Sequence, residues 1–159
     1  MVSARAIAPG TTILVAGIGN LFLGDDAFGS HVIDRLATIG LPANVHVEDF
    51  GVRGLDLAYA LLEPHALAIL VDATPRGGEP GNLYVLEPEI DGPPELDTHA
   101  IDPTNVLRLV AALGGRPGHV LLVGCEPSSF DGEGLSAPVA AAIEPACALV
   151  QELIGRIDA

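Results

Sequence analysis

The sequence contains no lysine and no tryptophan, and its 159 residues include only seven basic side chains, all of them arginine. Against 21 aspartate and glutamate residues, these give a formal net charge of -14. A surface with so little positive charge repels nucleic acids and anionic lipids, so we expect neither as a partner. The absence of lysine also excludes a Walker-type phosphate loop, which requires that residue.

Cysteine is scarce as well. Cys125 and Cys147 are too few for a disulfide framework and are not spaced as metal ligands. We therefore expect a cytoplasmic protein in which both thiols are reduced and buried. Asn20 interrupts the apolar run near the N-terminus and two aspartates follow it, so we predict neither a signal peptide nor a membrane span.

Short apolar runs alternate with segments of helical periodicity, which is typical of an α/β domain with a largely parallel sheet. The length predicts one domain over residues 1–159. Strands are predicted at residues 12–18, 45–50, 66–73, 82–87 and 119–125. Helices are predicted at residues 25–39, 55–62, 103–113 and 137–157. Ser136 can cap the N-terminus of the last helix, and Pro145 should kink or split it. The third and fourth strands are separated by about eight residues, too few for a helical crossover, so the fourth should run antiparallel.

The first predicted strand is followed by a glycine-rich turn, GIGNLFLGDDAFG, at residues 17–29. A dinucleotide fingerprint requires a third glycine where this chain has Phe22. Asp25 and Asp26 would also oppose a phosphate at the start of the next helix, so no nucleotide is predicted. Two interpretations of these acids stay open: a helix cap, or one capping carboxylate beside a second that binds a cation.

Other acids lie at the ends of the second and third predicted strands. Open parallel sheets bind ligands beyond the carboxyl ends of their strands, at the point where the connections change side. For a strand order that begins 2-1-3, the loop that holds Asp25 and Asp26 would face Asp72, which comes directly after a buried run. The simple alternative for Asp72 is a cap of the next turn through Thr74. Asp49 ends the second strand on the same rim.

His99 lies in a long predicted loop at residues 88–102. It is either a third ligand or a loop residue that caps the following helix. Two carboxylates and one imidazole from three loops form a ligand set that suits divalent transition metals. The sequence lacks HExxH, GxSxG and CxxC, which are the common zinc-protease, serine-hydrolase and thiol-redox signatures.

In combination, these segments resemble the NiFe-hydrogenase maturation proteases, endopeptidases that remove the C-terminal extension of the hydrogenase large subunit. The resemblance covers nearly the whole chain. It is carried by GIGNLFLGDDAFG at 17–29, EDFGVRGLDL at 48–57, ILVDAT at 69–74, the loop with His99, VGCEP at 123–127 and SAPVAAAIEPA at 136–146. It implies a three-layer α/β fold with a five-stranded mixed sheet of order 2-1-3-5-4, in which strand 4 is antiparallel and helices cover both faces.

The resemblance also implies the chemistry. The metal-contacting acids and histidine of the family fall on Asp26, Asp72 and His99, with the two aspartates as catalytic candidates. The metal would be nickel supplied by the substrate, which is the large-subunit precursor. The family often has glutamate at the first of these positions, and Asp26 is one methylene shorter. Ala27 stands where the family frequently has glycine.

Asp49, Gly51 and Arg53 are the predicted substrate-binding residues, in a loop placed to receive the extended C-terminal peptide. Arg53 could equally pair with Asp56. We expect a monomer. A nickel-binding assembly factor that does not cut its partner would use the same acids and histidine, so it is the alternative function. A nucleotide-binding module is a second alternative, which the missing third glycine and the paired aspartates oppose.

Overall fold

The computed structural model describes residues 12–95, 102–116 and 118–158. Strands and helices alternate along most of the chain, as the sequence predicts. The described elements are β1 (Ile13–Ile18), a 3₁₀ turn (Gly24–Ala27), α1 (Phe28–Leu36), β2 (Val45–Gly51), α2 (Gly54–Leu62), β3 (Leu67–Ala73), β4 (Leu83–Leu86), α3 (Pro103–Ala112), β5 (Val120–Cys125), α4 (Ala137–Ala140) and α5 (Ile143–Asp158).

The five strands form one mixed sheet in the order β2-β1-β3-β5-β4. β1 pairs in parallel with β2 and β3, and β3 pairs in parallel with β5. β4 pairs with β5 in the antiparallel sense. Every residue of β1 and β3 is buried, which explains their nearly uninterrupted apolar sequences. The predicted strand order and the antiparallel fourth strand are confirmed.

Helices cover both faces of the sheet, because alternate side chains of each strand point to opposite sides. On one face, Ile13 and Val15 of β1 pack in a core with residues of α1, α4 and α5, such as Phe28 and Val150. On the other face, Leu14 packs in a second core with residues of α2 and α3. The predicted three-layer architecture is therefore confirmed.

The helical segment Ala137–Ile157 is long and apolar enough to cross a membrane, with a mean hydropathy of 1.4 in its most apolar window. On length and composition, the expectation that no segment could span a bilayer is therefore wrong. The segment folds as α4 and α5, and Pro145 lies in the first turn of α5, where its missing N–H costs little. Val139, Val150 and Ile154 are buried in the core, so the segment packs against the sheet, and the split predicted from Pro145 is confirmed.

Two glycines of the 17–29 turn are required by close backbone contacts. Gly19 has a φ of +137°, and a Cβ there would lie 1.8 Å from the carbonyl oxygen of Asp26. A Cβ on Gly29 would lie 2.3 Å from the carbonyl oxygen of Val71 and 2.4 Å from that of Ile18. These glycines let the turn and the start of α1 pack against the ends of β1 and β3. They thereby bring Asp26 to the carboxyl edge of the sheet.

Candidate active site

A cavity of about 600 Å³ opens at the carboxyl edge of the sheet. Its walls come from the 3₁₀ turn, the end of β3, the β3–β4 connection, the segment after β4, the start of α3 and the loop after β5. The described ionisable residues that line it are Asp26, Asp72, Arg76, Glu87, Glu89 and Asp102. Five of these six side chains are acidic, so the cavity favours a cation over an anion.

Asp26 and Asp72, which are far apart in sequence, line this cavity together. Asp26 lies in the connection after β1 and Asp72 is the penultimate residue of β3, so both lie at the switch point of the sheet. Asp26 is half-buried, and its Oδ2 accepts a hydrogen bond of 2.8 Å from the backbone N–H of Asn20. Neither the 3₁₀ turn nor α1 has a side-chain cap, so Asp26 does not cap its own helix.

Asp72 is a buried acid, with only 7% of its surface exposed. Burial, followed by repulsion from the neighbouring Asp26 carboxylate, raises the pKa of Asp72 well above its usual value. Thr74 donates its hydroxyl to the main-chain oxygen of Asp72 at 3.3 Å, so this contact does not involve the Asp72 carboxylate. The alternative of a cap through Thr74 therefore leaves the burial of this carboxylate unexplained. A carboxyl group with a raised pKa is suited to proton transfer near neutral pH.

Asp25 lies next to Asp26 but has a different environment. It is fully buried, and its carboxylate accepts hydrogen bonds from the backbone N–H groups of Ser128, Ser129 and Ser136 and from the Ser136 hydroxyl. Burial raises the pKa of Asp25, but these four hydrogen bonds outweigh it, so that the pKa lies below its usual value. Asp25 thus fastens the glycine-rich turn at residues 17–29, called the first turn below, to the loop after β5. Of the two neighbouring aspartates, Asp25 supports the structure and Asp26 lines the cavity.

Ser136 occupies the predicted N-cap position of the last helical segment, one residue before α4. Its side chain makes no cap hydrogen bond there. The hydroxyl donates instead to Oδ2 of Asp25 at 2.8 Å. The predicted position is correct, but the capping function assigned to its hydroxyl is wrong.

His99, the third predicted ligand, lies outside the described residues. Asp102, three residues later, lines the cavity and caps α3, because its Oδ1 accepts a hydrogen bond from the N–H of Thr104. Capping of this helix is therefore supplied by Asp102. Within the described ranges, no group of three His, Cys, Asp or Glu side chains could hold a metal ion.

The predicted substrate-binding residues lie together between the end of β2 and the start of α2, outside the described cavity lining. Asp49 Oδ1 accepts hydrogen bonds of 2.9 Å from the Ser30 hydroxyl and from the N–H of Gly51. Arg53 pairs with Asp56 at 3.1 Å and donates to the main-chain oxygen of Asp49 at 2.7 Å. The local pairing considered from the sequence is therefore present. Because the N–H of Gly19 donates to the carbonyl of Gly51, this loop adjoins the first turn.

Sequence reasoning missed Arg76, which lines the cavity, and Glu126, which supports the connection that carries Arg76. Arg76, in the β3–β4 connection, is the only basic side chain in the described lining of the cavity. Glu126 is 4% exposed and fastens that connection to the end of β5. An acid directly after a buried apolar run is the signal that identified Asp72, and the same signal was available for Glu126. Arg76 carried no comparable signal, because an arginine in a turn is ordinary.

Comparison with known proteins places this fold and site in context. The family model for hydrogenase maturation proteases matches residues 30–153, a range that includes Asp72 but not Asp26. The hydrogenase expression/formation protein HupD of Rhodobacter capsulatus is 36% identical over 149 residues, which cover 89% of this chain and 70% of that protein. The hydrogenase 2 maturation protease of Escherichia coli is 33% identical over 141 residues, which cover 84% of this chain and 85% of that protein.

A solved structure extends the likeness to three dimensions. The hydrogenase maturating endopeptidase HybD from Escherichia coli matches with a TM-score of 0.77 and 31% identity, over 92% of this chain and 93% of that one. The fold and sequence are therefore those of an α/β endopeptidase of the kind that HybD represents. The chain belongs to the hydrogenase maturation protease family and is a hydrolase, which confirms the resemblance seen in the sequence.

Proposed function

We propose that this protein removes the C-terminal extension of a NiFe-hydrogenase large-subunit precursor after nickel insertion, and that Asp26, Asp72 and His99 contact the nickel carried by that substrate. The observation that supports this proposal most directly is that Asp26 and Asp72 share one cavity at the carboxyl edge of the sheet. Carboxylate and imidazole groups suit divalent transition metals.

The position of Asp102 supports a contribution from His99. Three residues of chain span at most about 11 Å, and Asp102 itself lines the cavity, so the chain length allows His99 to reach the same space. Two carboxylates and one imidazole would leave coordination positions for water and for ligands from the substrate, unlike a closed structural site with four protein ligands.

The two aspartates are suited to different tasks. Asp26 is the more exposed and adjoins the first turn, so we assign it to the incoming nickel. Asp72 is buried with a raised pKa, so we assign it the proton taken from the water that attacks the scissile carbonyl. Nickel held beside Asp26 would supply Lewis-acid chemistry toward that carbonyl or water.

The loop with Asp49, Gly51 and Arg53 adjoins the first turn, and we propose that it receives the C-terminal peptide. Its neighbours Val52 and Leu55 are 56% and 54% exposed, and Phe22 of the first turn is 82% exposed. Exposed apolar side chains beside a cavity are typical of a surface that another polypeptide covers. The monomeric state, the cytoplasmic location and the absence of a nucleotide stay predictions.

Cleavage is expected to require nickel in the precursor. The protein is incubated with nickel-loaded and with nickel-free precursor, and the mass of the large subunit is followed over time. We expect the loss of the extension only from the loaded form. Without the nickel of the precursor, the Asp26 and Asp72 carboxylates repel each other and have no cation to bind. Equal cleavage of both forms would contradict nickel recognition, and nickel binding without any cleavage would favour the assembly factor.

Purified protein is expected to hold little metal of its own, well below one equivalent per chain. The physical reason is that the cavity has an open ligand set, which binds weakly until a partner completes it. Elemental analysis of protein purified without added metal or chelator measures this content. A full equivalent of tightly held zinc would instead indicate an autonomous metalloprotease.

A further inference from the structure

Arg76 stands out in the cavity because it is basic among acids. The other described ionisable residues of the lining are Asp26, Asp72, Glu87, Glu89 and Asp102. Yet Arg76 forms no ion pair with any described residue, whereas Arg35, Arg53 and Arg156 each pair with a carboxylate. An exposed guanidinium beside five carboxylates, but paired with none, is available to an anion from outside.

Arg76 is held in place by the residues beneath it. Both Glu126 carboxylate oxygens accept from the backbone N–H of Arg76, at 2.9 and 3.1 Å. Oε1 of Glu126 also accepts from the Gly78 N–H at 2.9 Å and from the Tyr84 hydroxyl at 2.7 Å. The Tyr84 ring lies under the guanidinium, 5.7 Å from Cζ to the ring centroid. Glu126 therefore fixes both the backbone of Arg76 and the ring on which its side chain rests.

We propose that Arg76 is a specificity-determining residue that binds a carboxylate of the substrate polypeptide at this cavity, with Glu126 and Tyr84 as positioning residues. The inference rests on the proposed function. A planar guanidinium binds a carboxylate through two parallel hydrogen bonds, which fixes orientation as well as affinity. The described carboxylates of the lining would repel the same group, so among the described side chains of the cavity Arg76 is the one suited to hold a peptide anion. This arrangement would orient the peptide relative to Asp26 and Asp72.

The test compares wild-type protein, Arg76→Gln and Arg76→Lys on the nickel-loaded precursor. We expect Arg76→Gln to raise KM about 10-fold to 100-fold, the usual effect of losing hydrogen bonds to a charged group, with kcat changed less than about threefold. Arg76→Lys should recover only part of this loss. Arg116→Gln is the matched control, since Arg116 lines a smaller cavity with His65 and His119, before β3 and β5 at the opposite edge of the sheet.

A second arm identifies the carboxylate. In one precursor, the acidic residues near the cut are changed to their amide counterparts, and in another the C-terminus is extended by two glycines to displace the α-carboxylate. The precursor that lacks the bound group should raise KM for the wild type but cause no further increase for Arg76→Gln. Tyr84→Phe keeps the ring and removes the hydroxyl, so its KM should lie between wild type and Arg76→Gln.

Each outcome is decisive. Wild-type KM for Arg76→Gln, a loss confined to kcat, or equal losses with every precursor would overturn the inference while leaving the proposed function intact. A wild-type protein that leaves the loaded precursor uncut would overturn both.

Discussion

Asp72→Asn is expected to abolish cleavage of the precursor and at the same time to raise the melting temperature. Asparagine keeps the shape of the side chain and can accept the Ala73 N–H, but it carries no charge and cannot take a proton. In the wild type, burial and the Asp26 carboxylate disfavour the charged form of Asp72. Replacing such a group commonly stabilises a protein by about 0.5–2 kcal/mol, or roughly 1–8 °C for a chain of this length.

The sign of this effect depends on pH. The pKa of Asp72 is raised on folding, so the folded state binds the proton more tightly than the unfolded state. The wild type therefore loses stability as the pH rises from about 3.8 through the folded-state pKa, and the penalty is full above that value. We expect the two proteins to differ least below pH 4 and most at neutral pH.

Thermal unfolding in metal-free buffer at several pH values measures the stability, and the mass of the large subunit measures the activity. Asp34→Asn is the matched control, because it makes the same chemical change on the exposed face of α1. A melting temperature that falls at neutral pH would show that the Asp72 carboxylate stabilises the fold. Cleavage at the wild-type rate would remove Asp72 from the mechanism.

The position of Asp26 and Asp72 could be predicted from the apolar runs beside them and from the rule that parallel strands place their carboxyl ends at the same edge of the sheet. The apolar runs of β1 and β3 have no polar face, so both had to be central strands. The β3–β4 connection is too short for a helical crossover, which fixed the direction of β4. Asp26 follows β1, and Asp72 lies at the end of β3. Parallel neighbours carry such residues to the same edge, so the position of the pair could be predicted without a structure.

The contacts that support this pair could not be predicted in the same way. The partners of Asp25 lie 103 to 111 residues away, and those of Glu126 lie 42 to 50 residues away. Such hydrogen bonds depend on how two loops meet after the sheet has formed, and no short pattern encodes that. The pairing of Arg53 with Asp56 is local, and for that reason it was among the alternatives considered from the sequence.

Asp25→Ala is expected to cause a large loss of stability, on the order of 3–5 kcal/mol. The substitution leaves the N–H groups of Ser128, Ser129 and Ser136 without the carboxylate that they surround in a fully buried position. Because the folded-state pKa of Asp25 is lowered, its contribution is present above its usual pKa of 3.8 and is lost only as the pH falls through the lower folded value.

Urea unfolding at neutral pH measures the loss, and Asp131→Ala is the control, because it removes an exposed carboxylate from the same loop. Asp25→Asn should also destabilise the protein. Its amide oxygen can accept some of these hydrogen bonds, but its NH₂ group brings two donors to a site where the surrounding N–H and O–H groups already donate. A loss below about 1 kcal/mol for Asp25→Ala would mean that water replaces the carboxylate. The expected larger loss would show that the stability of the first turn, and with it the position of Asp26, depends on a buried aspartate that never meets the substrate.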